Sequence, residues 1–99
     1  MKITLQYFDS CPGWKVVDGR IRDIIESHGL NAAIDYQRVE TDEEAKTHQF
    51  VGSPTVLIDG RDPFASDTLA IGLACRTYVS DEGRSPSPSV RHLEEALGV

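Results

Sequence analysis

Apolar positions alternate at the amino terminus. Ile3, Leu5 and Tyr7 share one side of residues 2–8 and Phe8 closes the other, a period of two that predicts a strand. From Trp14 to His28 the period becomes helical. Val17, Ile21, Ile24, Ile25 and His28 form one stripe, Asp18, Arg20, Arg22 and Glu26 fall largely off it, and Gly29 follows as a carboxyl-terminal cap. Residues 33–39 read as a second strand. Thr41 and Glu44 fit a capping box that opens a short helix ending near His48. An apolar run, Thr55 to Ile58, predicts a third strand that turns at Asp59-Gly60. Residues 61–71 read as a long loop, with one helical turn starting at Ser66 or Asp67. Leu73 to Val79 reads as a fourth strand. A last helix is expected from about Pro88 to Leu97, with Ser87 as cap, Pro88 at the first position and Gly98 at the end.

The element order is therefore β-α-β-α-β-β-α. Alternating strands and helices in the first half imply parallel neighbours, and two consecutive strands in the second half imply antiparallel ones. The expected fold is α/β, a four-stranded mixed sheet with helices on both faces, in a single domain spanning 1–99.

Composition narrows the function. The chain has 99 residues, 39% of them hydrophobic and 26% charged, as in ordinary globular domains. No stretch approaches the roughly 18 apolar residues that span a bilayer. The start, "MKITLQYF", lacks the long apolar region of a signal peptide, so a cytoplasmic location and no membrane partner are expected. The formal net charge is −6 with scattered Lys and Arg, which argues against nucleic acid as a partner. His28, His48 and His92 fall on three different helices without zinc-site spacing, so neither a metal nor a cofactor is expected.

The two cysteines carry the chemistry. Cys11 and Cys75 lie far apart, and two such cysteines in a cytoplasmic chain are expected to be free thiols rather than a disulfide framework. Cys11 stands between the first strand and the first helix. There, backbone N–H groups and the positive end of the helix dipole favour thiolate and lower the pKa from about 8.5. The alternative is a small buried hydrophobe. Strand alternation puts Leu73, Cys75, Thr77 and Val79 on one face. Cys75 is then either structural under that face, or close enough to Cys11 to resolve a mixed disulfide or share a soft metal ion. Asp9 is either a strand-ending turn residue or a proton donor beside the thiolate. Trp14 is a core or rim aromatic, or a lid over the sulfur.

The order of elements, the cysteine in "DSCPGW" and the segment "GSPTVLIDG" at 52–60 together resemble the thioredoxin fold over nearly the whole chain. In that family the residue matching Pro54 is a cis-proline lying against the active-site cysteine. The resemblance implies that Ser53 offers its backbone to an extended substrate and that Thr55 supports the turn. Dithiol members carry Cys-x-x-Cys, whereas Trp14 holds the second position here, so a resolving thiol must come from elsewhere. "CPGW", "GSPTVLIDGRDPF" and "GLACRTY" are also similar to short thioredoxin-like proteins that carry the label alkylmercury lyase. "SDT" at 66–68 is faintly similar to the glutathione-contacting turn of glutaredoxins, and a helix cap explains it equally.

Three function classes follow. The first is a thiol-dependent redox protein with Cys11 as nucleophile, acting on a disulfide-containing protein or a small thiol and reset by Cys75 or an external thiol. The second is a lyase or sequestering protein for soft-metal compounds, using Cys11, Cys75 and Asp9. The third is a non-catalytic module that binds a peptide in the groove at Ser53-Pro54; across these readings the substrate-binding candidates are Trp14, Ser53, Pro54 and Thr55.

Overall fold

β1 (Lys2–Tyr7) is the central strand because both of its edges find partners. It pairs in parallel with β2 (Ala33–Arg38), with Leu5 opposite Tyr36, and antiparallel with β3 (Thr55–Ile58), with Leu5 opposite Val56. The sheet is mixed, three-stranded and ordered β2-β1-β3. The computed structural model describes residues 1–66, 69–80 and 83–99. Parallel pairing of β1 and β2 requires a crossover, supplied by α1 (Gly13–His28).

The alternation in β1 sorts its side chains. Ile3 and Leu5 are fully buried in a cluster with Val17, Ile21 and Ile24 of α1, Val56 of β3, and Leu93 and Leu97 of α3 (Val90–Leu97). Phe8 has the opposite parity and packs on a second cluster, Val39, Ala45 and Phe50. Ala45 belongs to α2 (Asp42–His48). Gly29 ends α1 at φ 59°, as the sequence implies. The Thr41 hydroxyl accepts the Glu44 N–H at 3.1 Å and caps α2. That helix ends on Gln49 at φ 52° rather than on a glycine.

Two expectations are corrected. The fourth strand at 73–79 does not join the sheet. β4 (Tyr78–Ser80) pairs only with β5 (Gly83–Ser85), in a separate antiparallel ladder. The face of this segment is also inverted. Arg76 and Tyr78 are buried at 5% and 7% exposure, whereas Leu73 and Val79 stand out at 37% and 67%. Periodicity alone cannot choose between two faces. Here long-range hydrogen bonds to Arg76 turn the segment over.

The last helix is capped by Ser89, whose Oγ accepts the His92 N–H at 3.1 Å, and not by Ser87. Ser87 is buried and donates to the Pro88 carbonyl at 3.1 Å instead. Of the expected turn at Ser66 or Asp67, residues 67 and 68 lie outside the described residues, as does most of the "SDT" segment. Among the described residues, no helix is long and apolar enough to cross a membrane.

Candidate thiol site

After β1 the chain turns through Asp9-Ser10, and the Cys11 N–H closes that turn on the Phe8 carbonyl at 3.3 Å. Pro12 is the helix cap at φ −71°, so Cys11 stands immediately ahead of the helix start. Among the described residues no side chain caps α1, and its first turn holds no acidic residue. Within the helix itself, nothing acidic offsets its positive end beside the sulfur. Gly13 is required by packing, since a Cβ there would lie 2.5 Å from the Pro86 carbonyl oxygen. Trp14 stacks on Tyr7 with ring centroids 4.3 Å apart and packs against the main core, which matches the core-aromatic reading. Its Nε1 is buried and has no hydrogen-bond partner among the described residues.

The second half of the site is the loop before β3. Ser53–Pro54 is a cis peptide bond. The Ser53 Oγ accepts the Phe8 N–H at 3.3 Å, which ties this loop to the end of β1. Thr55 donates its hydroxyl to the Gly52 carbonyl at 2.6 Å and so supports the turn.

Across this loop runs the segment that carries Cys75. The Ser53 N–H donates to the Ala74 carbonyl and the Arg76 N–H donates to the Ser53 carbonyl, both at 2.8 Å. These two bonds form a parallel bridge between Ser53 and Cys75. The backbone of Ser53 is therefore not free for a substrate, contrary to expectation, because the chain's own 74–76 segment occupies it. Gly52, at φ 118°, permits the approach. A Cβ on it would lie 2.9 Å from the Arg76 Cβ and 3.1 Å from the Ala74 oxygen.

The bridge brings the cysteines together. Cys11 and Cys75 form a disulfide with a Cα separation of 5.9 Å across 64 positions, within the usual range for such links. The expectation of two free thiols is corrected, because the Ser53 bridge delivers Cys75 to the helix start. The two ends differ in access: Cys11 is 1% exposed, while Cys75 lies exposed at the surface.

Arg76 anchors the segment from below. Its Nη1 donates to Asp62 Oδ2 at 2.7 Å and to Thr55 Oγ1 at 3.2 Å, and its Nη2 donates to the Phe64 carbonyl at 2.7 Å. The guanidinium lies 4.7 Å from the centroid of the Tyr78 ring. The Tyr78 hydroxyl in turn donates to the Pro54 carbonyl. Burial pushes the Tyr78 phenol well above its ordinary pKa, against the opposing pull of the Arg76 cation.

No protein-family model, no curated protein and no solved structure matches this chain. What the site can do must come from its own atoms.

Asp9 gives its carboxylate to Arg38 at 2.7 Å, an ion pair on the β2 side. The structure thus joins Cys11, Cys75, Ser53, Pro54 and Thr55 into one site, sets Trp14 against the core, and engages Asp9 with Arg38. Among the described residues, no group of three or more His, Cys, Asp or Glu side chains could hold a metal ion. Sequence reasoning missed Arg76, Asp62, Tyr78 and the two packing glycines. The one available signal was a lone charged residue inside "GLACRTYV". A bonded pair of sulfurs, one of them exposed at the surface, is the arrangement on which thiol–disulfide exchange acts.

Proposed function

We propose that the chain is a thioredoxin-like, thiol-dependent redox protein whose working couple is Cys11 and Cys75. The observation that carries this reading is the disulfide between the cysteine at the start of α1 and the cysteine bridged to Ser53. Trp14 takes the place of the second thiol of a Cys-x-x-Cys motif, and Cys75 supplies that thiol from another part of the chain. In the reduced protein the helix start favours the Cys11 thiolate. Oxidation by a small disulfide converts the dithiol to the protein disulfide and releases two equivalents of thiol. A cytoplasmic location, with its thiol-rich milieu, fits a disulfide that forms and reopens.

The test is equilibration in glutathione redox buffers, with the dithiol fraction read by alkylation and mass spectrometry. One reversible two-electron transition is expected, lost in both Cys11→Ser and Cys75→Ser. A bond that stays closed to potentials below about −300 mV behaves as a structural crosslink and refutes the proposal.

A second reading, capture of a soft metal ion by the reduced pair, is favoured by the same juxtaposition, because two thiolates suit such an ion. The lyase form of that reading also needs an acid at the site, and Asp9 is engaged by Arg38. Incubating reduced protein with an alkylmercury compound and measuring binding and release of inorganic mercury separates capture from cleavage.

A further inference from the structure

We propose that the external partner is a low-molecular-weight thiol and that it meets the disulfide at Cys75, not at Cys11. This rests on the redox reading above and adds the partner class and the order of bond exchange. Three independent observations lead to it.

The first is access. A thiolate must reach the sulfur it attacks. Cys11 is 1% exposed, whereas Cys75 is exposed. The second is the surrounding surface. An open groove of about 660 Å³ is lined by Cys75 together with Phe64, Leu69, Tyr78 and Arg84, and Cys11 is not part of its lining. Its size falls within the range of small-ligand sites, and Arg84 offers a guanidinium to a thiol that carries carboxylates. An extended polypeptide is disfavoured, because both backbone groups of Ser53 are already bonded to Ala74 and Arg76.

The third is the leaving group. Attack on Cys75 Sγ expels Cys11 Sγ, and that sulfur leaves as thiolate at the uncapped start of α1. A thiolate of lower pKa leaves faster. Attack in the opposite sense would expel Cys75 into the groove, away from the helix start.

The exchange balances in two steps. The first external thiolate bonds to Cys75 Sγ, the Cys75–Cys11 bond breaks, and its electron pair stays on Cys11. A second external thiolate attacks the outer sulfur of that mixed disulfide, forms the external disulfide and leaves Cys75 as thiolate. Two external thiols are oxidised and the protein gains two electrons. The protons released by the thiols return as the protein thiolates protonate.

The experiment uses the oxidised full-length chain and limiting reduced glutathione, quenched early with N-ethylmaleimide and mapped by peptide mass spectrometry. Glutathione on Cys75 with maleimide on Cys11 is expected to exceed the reverse adduct by about tenfold or more. Equal labelling, or glutathione mainly on Cys11, overturns the inference while leaving the redox reading intact. Failure of glutathione to exchange with either sulfur refutes the redox reading and the inference with it. Should the mixed disulfide close too fast to trap, the single-cysteine variants decide. Compared per thiolate, from rates taken to the high-pH plateau, oxidised glutathione is expected to modify Cys11→Ser, which keeps Cys75, at least about tenfold faster than Cys75→Ser. The opposite order overturns the inference.

Discussion

Arg76→Met removes the guanidinium and leaves three acceptors behind: Asp62 Oδ2, Thr55 Oγ1 and the Phe64 carbonyl. The Arg76 and Asp62 side chains are only 3% and 13% exposed, so water cannot fully replace the lost donors. Breaking a buried ion pair from one side costs about 3–5 kcal/mol, because the remaining charge stays desolvated. Loss of the cation from the Tyr78 ring adds about 0.5–2 kcal/mol. Thr55 keeps its bond to the Gly52 carbonyl and so limits its own contribution. The net expectation is a loss of about 4–7 kcal/mol in urea unfolding of the oxidised protein. That is a large fraction of the ~5–15 kcal/mol typical of a whole domain. Asp62→Asn tests the origin of the loss, since it removes the stranded charge but keeps an oxygen for the Phe64 N–H, now bonded to Asp62 Oδ1 at 2.9 Å. The double variant should therefore lose less than the sum of the singles, by about 1 kcal/mol or more. A loss below about 1 kcal/mol for Arg76→Met, or strict additivity in the cycle, would show that Arg76 does not anchor the segment.

Reducing the disulfide frees a 64-position loop and should cost about 4 kcal/mol by chain entropy, read from urea midpoints with and without reductant; a change below about 1 kcal/mol would contradict this. Tyr78 has a raised folded-state pKa, so its neutral form is favoured by folding. Its contribution is intact below the unfolded value of about 10 and is lost as pH climbs from there toward the folded value. Tyr78→Phe should lose that alkaline component of the pH–stability curve, and an unchanged slope above about pH 10 would refute it. Gly52→Ala puts a Cβ 2.9 Å from the Arg76 Cβ at a left-handed φ. Such crowding costs about 1–3 kcal/mol, so the equilibrium constant for closing the disulfide in a glutathione buffer should fall by about tenfold or more. Wild-type closure in that variant would show that the close approach is not needed.

The legible parts of the fold are those with local causes. β1 and α1 carry clear periods of two and 3.6, and Thr41 with Glu44 announces a helix start through chemistry four residues long. The last helix shows where local chemistry is degenerate: Ser87 and Ser89 both suit a cap, and Ser89 is the one whose Oγ accepts the His92 N–H. Residues 73–79 show where local reading fails. Leu73, Cys75, Thr77 and Val79 alternate as a buried face would, but Arg76 finds Asp62 and Phe64 more than ten positions away and takes the interior itself. The place of Cys11 between β1 and the start of α1 was legible from the change of period on either side of it. Its approach by Cys75 was open only as the alternative to a structural cysteine, because that pairing is set by two backbone hydrogen bonds at Ser53 that no spacing in the sequence encodes.

The disulfide also fixes a covalent topology. Residues 11–75 become a closed ring, and the chain outside it is reduced to two arms. β2 and β3 both belong to the ring, yet among the described residues they do not pair with each other; in the sheet each pairs with β1, which lies on the amino-terminal arm. The carboxyl-terminal arm ends in α3, whose Leu93 and Leu97 meet Ile3 and Leu5 of the opposite arm in the core. An oxidised chain therefore cannot build its sheet within the ring. In the folded protein one arm lies between two ring strands and the helix of the other joins it in the core. Both arms thus complete the interior of the ring, and among the described residues β1 is the sheet partner of each ring strand.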